Sequence, residues 1–156
     1  MSRFPLKCAV CRERRVELVK EHYEVKVDHD GRSYDLSIPD LELLKCGSCG
    51  NRILPYEAGE RVNEALRQAA GLLAPKEIKE HRLALGLTQK ELAETLRIAE
   101  ATLSRWETGA QIQQRGYDVL LRLYFDIPAV RERLAAPVVG GRAAIRTERR
   151  PLEPVK

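Results

Sequence analysis

The spacing of apolar residues changes period along the chain. Tyr23, Val25 and Val27 fall on one face of a first alternating run, and Tyr34, Leu36 and Ile38 on one face of a second. A period of two marks half-buried strands. Asp30-Gly31 lies between the runs and is a strong hairpin-turn dipeptide. Pro39 and Asp40 are expected to end the second strand. From residue 57 the period becomes helical. Val62, Leu66, Ala69 and Ala70 recur at helical spacing, Leu72 and Leu73 follow, and Pro75 stops a helix expected over 57–73.

Residues 75–136 read as five short helices. Pro75 suits a first helical position, and Ile78, His81, Arg82 and Leu85 make an inner stripe, with His81 a packed core residue. Gly86 ends that helix. Thr88 caps the next, and Glu91 three residues later completes a capping box. Leu92, Ala93 and Leu96 face inward. A third helix spans 99–108, with Leu103 and Trp106 inward and Gly109 as C-cap. A fourth and a fifth cover 118–125 and 128–134. Glu107 is expected to pair with Arg82 inside this unit. After Ala136 periodicity is lost among Pro137, Gly140, Gly141, Pro151 and Pro154, which reads as a flexible basic tail.

All four cysteines fall in two knuckles, Cys8-x-x-Cys11 and Cys46-x-x-Cys49, on either side of the hairpin. A two-residue gap lets both sulfurs of a knuckle reach one metal at about 2.3 Å. Four thiolates and no missing ligand describe a closed, structural tetrahedral zinc site, one ion per chain. A redox dithiol pair competes, but ligand count and compartment favour zinc. His22 and His29 are expected to be ordinary hairpin side chains. Gly50 suits the tight turn after Cys49, whereas the first knuckle has no glycine.

The expected architecture is therefore α+β: a small zinc-ribbon-like β-hairpin module (1–55), a connecting helix and hinge (56–74), an all-α five-helix domain (75–136) and the tail (137–156). A module of about 50 residues buries little apolar surface, so a metal clip fits its energetics.

The formal charge is +4, unevenly placed. Residues 1–74 carry 12 basic and 12 acidic groups, residues 75–136 carry 10 and 9, and the tail 5 and 2. The sequence pI of about 9.0 suggests nucleic acid. No apolar run is long enough to span a bilayer, and the start has no signal-peptide pattern, so a cytoplasmic protein is expected. No open metal site, no carboxylate pair in a glycine-rich pocket and no Ser/His/Asp set is visible, so no enzyme is expected.

Residues 87–109 have helix-turn-helix form. The small Ala93 lets a second helix cross closely, and the helix over 99–108 is the one expected in the major groove, N-terminal residues toward base edges. Arg105 on its outer face can fork onto guanine or grip phosphate. Gln89 can hydrogen-bond a phosphate at a helix N-terminus. The expected DNA-facing set is Gln89, Lys90, Glu100, Ala101, Thr102, Ser104 and Arg105.

The runs Leu-Thr-Gln-Lys-Glu-Leu-Ala at 87–93 and Thr-Leu-Ser-Arg-Trp-Glu-Thr-Gly at 102–109 resemble the XRE, or lambda-repressor-like, family. With the four-cysteine module in front, the layout over 7–134 resembles the MqsA (YgiT-type) zinc-finger antitoxins. That resemblance implies one zinc on Cys8, Cys11, Cys46 and Cys49. It implies an N-terminal module that binds a ribonuclease-like toxin, and a C-terminal domain that dimerises on a palindromic operator and represses its own operon. It also implies that Arg105 reads bases. Two positions depart from the pattern. Ala101 stands where the family has asparagine, so the operator should differ, with Glu100 or Thr102 supplying replacement contacts. Arg97 stands where the turn often has glycine. A non-glycine residue with positive φ would cost about 1 kcal/mol there, so an altered turn is expected. The alternative is a stand-alone XRE-type regulator whose cysteines sense metal or oxidant.

Overall fold

The computed structural model describes residues 4–136. The tail expected at 137–156 lies outside them. The fold is α+β: an antiparallel sheet of strands β1 (Val16–His29), β2 (Arg32–Cys46) and β3 (Arg52–Ile53), in that order, is followed by six helices. Asp30 and Gly31 both take positive φ, 50° and 72°, so a two-residue turn joins β1 to β2 at the His29–Arg32 pair.

The second strand does not end at Pro39 and Asp40. Pairing steps from Tyr23–Ile38 to Glu21–Leu41, so His22 faces two residues of β2. This is a β-bulge, with Asp40 in the left-handed region at φ 51°. The extra residue changes the facing. Ile38 and Leu41 are three apart and would point to opposite sides of a regular strand, yet both are buried on one face with Leu36 and Leu43. Proline is tolerated at a bulge, and the freed carbonyls of Pro39 and Asp40 accept from Arg61 at 2.9 and 2.7 Å.

Arg61 belongs to α1 (Tyr56–Ala70), which lies on that buried face. Ala58, Val62 and Ala65 pack against Val19, Tyr23, Ile38, Leu41 and Leu43. The helix stops earlier than its apolar pattern suggests, because Gly71 adopts φ 67° and its N–H caps the last turn. Leu72 and Leu73 are buried but not helical, and Leu73 joins the core of the helical unit.

That unit comprises α2 (Pro75–Ala84), α3 (Gln89–Leu96), α4 (Glu100–Thr108), α5 (Arg115–Asp126) and α6 (Pro128–Ala135). Ile78, Leu92, Ala93, Leu96, Leu103, Trp106, Leu121, Tyr124 and Phe125 fill its centre. His81, expected in the core, is instead exposed, and its ring stacks on Phe125 with centroids 5.1 Å apart. Ile78 and Arg82 take the inner face, leaving His81 at the rim.

The two units touch at three places. The buried Asp118 carboxylate accepts from Leu73 N at 2.7 Å, Gln113 Nε2 at 3.0 Å and Arg122 Nε at 2.7 Å. Gln113 Nε2 also donates to Leu73 O, and Arg122 Nη2 to Gly71 O. The link between α1 and the helical unit is thus held at both Gly71 and Leu73. Arg67 of α1 donates to Gly109 O at 3.1 Å. At the hairpin tip, His29 Nε2 donates to Gln113 O at 3.0 Å, and Asp30 Oδ2 accepts from Arg115 N at 3.1 Å.

Candidate metal centre and nucleic-acid interface

The two cysteine knuckles have the same local backbone. Arg12 N donates to Cys8 O as Gly50 N does to Cys46 O, at 3.1 and 2.9 Å. Cys8 N donates to Glu13 O as Cys46 N does to Asn51 O, at 2.8 and 2.9 Å. In both, the residue after the second cysteine is left-handed: Gly50 at φ 72° and Arg12 at φ 67°. The first knuckle therefore reaches the same turn without glycine, at a strain of roughly 1 kcal/mol. The isolated Leu6–Val16 bridge and the Gly47 N to Arg15 O bond of 2.8 Å hold the knuckles side by side.

All four sulfurs lie within 4.8 Å of one another. Cys8 and Cys49 Sγ are 3.7 Å apart, and Cys11 and Cys46 Sγ 3.6 Å. Sulfurs at about 2.3 Å from one ion at tetrahedral angles sit about 3.8 Å apart, whereas a disulfide would bring them to about 2.0 Å. The four side chains are free thiols in the arrangement of a single-metal site. The protonation states lean the same way at two of them. N–H groups of Cys49 and Ser48 aimed at the Cys46 sulfur hold its pKa down at about 6. Those of Cys11 and Val10 lower Cys8. At Cys11 the Glu13 N–H pulls downward, but burial and the neighbouring thiols push it up to about 12. A dication among these sulfurs would remove that mutual opposition. Cys8 and Cys46 are buried with Val16, while Cys49 is exposed.

The second site is the α3–turn–α4 unit. Thr88 Oγ1 accepts from Glu91 N at 3.2 Å, and Glu91 Oε2 accepts from Thr88 N at 2.8 Å, so the capping box forms. The Thr88 N–H and hydroxyl hold the Glu91 carboxyl below the usual carboxylate range. Leu92, Ala93 and Leu96 of α3 bury against Leu103 and Trp106 of α4. The turn forms without glycine. Arg97 itself takes φ 57° and ψ 41°, with its N–H on Glu94 O, and Ile98 N bonds Ala93 O at 3.0 Å. Packing of Leu96 and Ile98 on either side outweighs the conformational strain.

Helix α4 is anchored from behind. Arg82 Nε and Nη2 donate to Glu107 Oε1 and Oε2 at 2.6 and 2.9 Å, and Arg82 Nη1 to Leu87 O at 2.7 Å. Gln89 Nε2 adds 2.7 Å to Glu107 Oε2. Gln89, chosen from sequence as a phosphate contact, thus has its amide N–H directed at α4. The sequence pattern carries no signal for that link. On the outer face, Lys90, Glu100, Ala101 and Arg105 are exposed, and Thr102 and Ser104 are half-buried. Arg105 has no ion-pair partner among the described residues. Ser104 O accepts from Thr108 Oγ1 at 2.9 Å. The expected DNA-facing residues thus lie on two adjoining elements, with Gln89 turned inward.

Residues 78–115 match the helix-turn-helix family model. No curated protein matches the chain. The match and the packing above together support an XRE-type helix-turn-helix over this segment. The cysteine module lies outside the match. Among the described residues no helix is long and apolar enough to cross a membrane.

Proposed function

We propose that the chain is a transcriptional repressor, the antitoxin of a type II toxin–antitoxin pair. It acts by binding and has no catalytic role. Two chains dimerise on a palindromic operator, each presenting α4 to the major groove, and the cysteine module holds a ribonuclease-like toxin. The single observation that carries this reading is a closed four-sulfur site built into one chain with an XRE-type helix-turn-helix.

Zinc is the metal the donor set fits. Four thiolates suit a borderline-soft dication with no preferred geometry of its own and leave no open position for chemistry. When bound, the ion cross-links the two knuckles. Cys8, Cys11, Cys46 and Cys49 would hold it, and backbone N–H groups of the knuckle turns, those of Val10, Cys11, Glu13, Ser48 and Cys49, would spread the thiolate charge. Arg105 then reads bases from the exposed face of α4, while the Arg82–Glu107 pair fixes where that face points. A near-neutral module suits a protein partner better than a polyanion.

The test is binding to the DNA upstream of the chain's own reading frame. Arg105→Ala should weaken specific binding by about 1–3 kcal/mol and leave thermal stability unchanged. Unchanged affinity would place the reading surface elsewhere. Co-purification of the product of the adjacent reading frame tests the antitoxin role, and absence of a complex would remove it.

A stand-alone metal- or oxidant-responsive regulator is the second reading, favoured by the exposure of Cys49. Loss of zinc and of operator binding together on mild peroxide would support it.

A further inference from the structure

We propose that Arg97, in the turn between α3 and α4, is a phosphate-backbone contact that seats the recognition helix at the edge of the groove. The inference rests on the DNA-binding reading above and adds a residue to it.

The backbone at Arg97 lies in the left-handed region, where glycine is relaxed and a side chain is strained. The structural duties of the turn fall to other atoms. The backbone bonds to Glu94 O and Ala93 O close it, and Leu96 and Ile98 pack it. The guanidinium itself contributes nothing inward: the residue is exposed and, among the described residues, has no ion pair or side-chain hydrogen bond. The guanidinium is therefore free to meet a partner outside the chain; what sets Arg97 apart from the equally left-handed Arg12 is its place beside α4.

Charge identifies that partner. Residues 88–108 carry three basic and four acidic groups. Of the basic ones, Lys90 sits 4.0 Å from Glu94. Arg97 and Arg105 have no acidic partner among the described residues. Affinity for a duplex scales with the number of phosphates neutralised. A motif this short of positive charge needs each free cation, and Arg105 faces the groove floor in the proposed docking.

Arg97 lies two residues before Ala99, the N-cap of α4, and no side chain caps that helix start. A recognition helix that enters the major groove by its N-terminus brings the preceding turn past the sugar–phosphate strand bounding the groove. A guanidinium on a long stem at that turn reaches phosphate oxygens and can fork onto them.

The experiment uses the full metal-loaded chain and a fluorescently labelled mixed-sequence duplex, titrated by anisotropy across a KCl series. Phosphate contacts are sequence-independent, so no operator need be known. Arg97→Gly should melt at or above the wild-type temperature yet bind roughly eightfold more weakly at about 0.1 M salt. Its plot of log K against log salt should be shallower by about 0.9 per chain. Arg97→Lys should keep the wild-type slope. Wild-type slope and affinity in Arg97→Gly would overturn the proposal, as would weaker binding with an unchanged slope and a lowered melting temperature, which mark a structural role. A wild-type chain that binds no duplex at low salt would remove the DNA-binding reading itself, and is seen before any variant is compared.

Discussion

Glu107→Ala should be among the most damaging single changes in the helical unit. Its side chain and that of Arg82 are 2% and 7% exposed and share two hydrogen bonds of 2.6 and 2.9 Å. Removing the carboxylate leaves a guanidinium buried without its counter-charge and strips Gln89 Nε2 of its acceptor. Breaking a buried pair from one side destabilises by about 3–5 kcal/mol. Removing both charges as Arg82→Met with Glu107→Leu should cost far less than the two single changes together. What remains is the orphaned Leu87 carbonyl and Gln89 amide, about 1 kcal/mol each. Urea unfolding followed by Trp106 emission measures this directly, since Trp106 is the one tryptophan and is buried in the same core.

The effect should also depend on pH. Burial works to raise the Glu107 carboxyl, but the Arg82 and Gln89 hydrogen bonds outweigh it and hold the group below the usual carboxylate range. A folded pKa below the unfolded one gives stabilisation that is complete above the unfolded value, near about 4, and lost as pH falls through the folded value. The gap between wild type and Glu107→Ala should be flat from neutral pH to about 5 and narrow in stronger acid. A single-variant loss under about 1 kcal/mol at neutral pH, or additivity in the double variant, would refute the reasoning.

Two further outcomes concern the cysteine module and the zinc proposed for it. Cys46→Ser should abolish binding of one zinc in native mass spectrometry and leave Trp106 emission unshifted, because the sulfur cluster and the helical core share no buried residue. A red shift of Trp106 would mean the two cores are not separable. Arg12→Gly should relieve the left-handed strain at φ 67° and stabilise the module by about 0.5–1 kcal/mol. A chelator titration reads that gain as tighter zinc retention, and no gain would show the turn to be relaxed already.

The sequence was most legible where short-range bonding decides the outcome. Thr88 and Glu91 are three residues apart, and their reciprocal bonds form in any helix that starts there. Gly109 sits where α4 needs a left-handed cap, at φ 80°. A cysteine pair with two residues between needs only its own turn to aim both sulfurs at one point. The α+β division, the hairpin turn and the pairing of Arg82 with Glu107 were readable for similar reasons: period, turn chemistry, and the rule that charges in a core must pair.

Long-range packing decided the rest. Nothing local at Pro39 and Asp40 says that pairing resumes beyond them. The bulge persists because Arg61 takes their carbonyls and because it turns both Ile38 and Leu41 into one core. Nothing local directs Gln89 to Glu107 or sets His29 against Gln113, residues 84 apart in the chain. The left-handed arginines at 12 and 97 break a local preference that surrounding structure overrides. By itself the sequence determined the hairpin turn, the helix caps and the two cysteine knuckles, since those depend on neighbours a few residues away. Only the tertiary structure decided which face each segment buries and how the sulfur-bearing hairpin rests on the helices. Those arrangements depend on atoms brought together from distant parts of the chain.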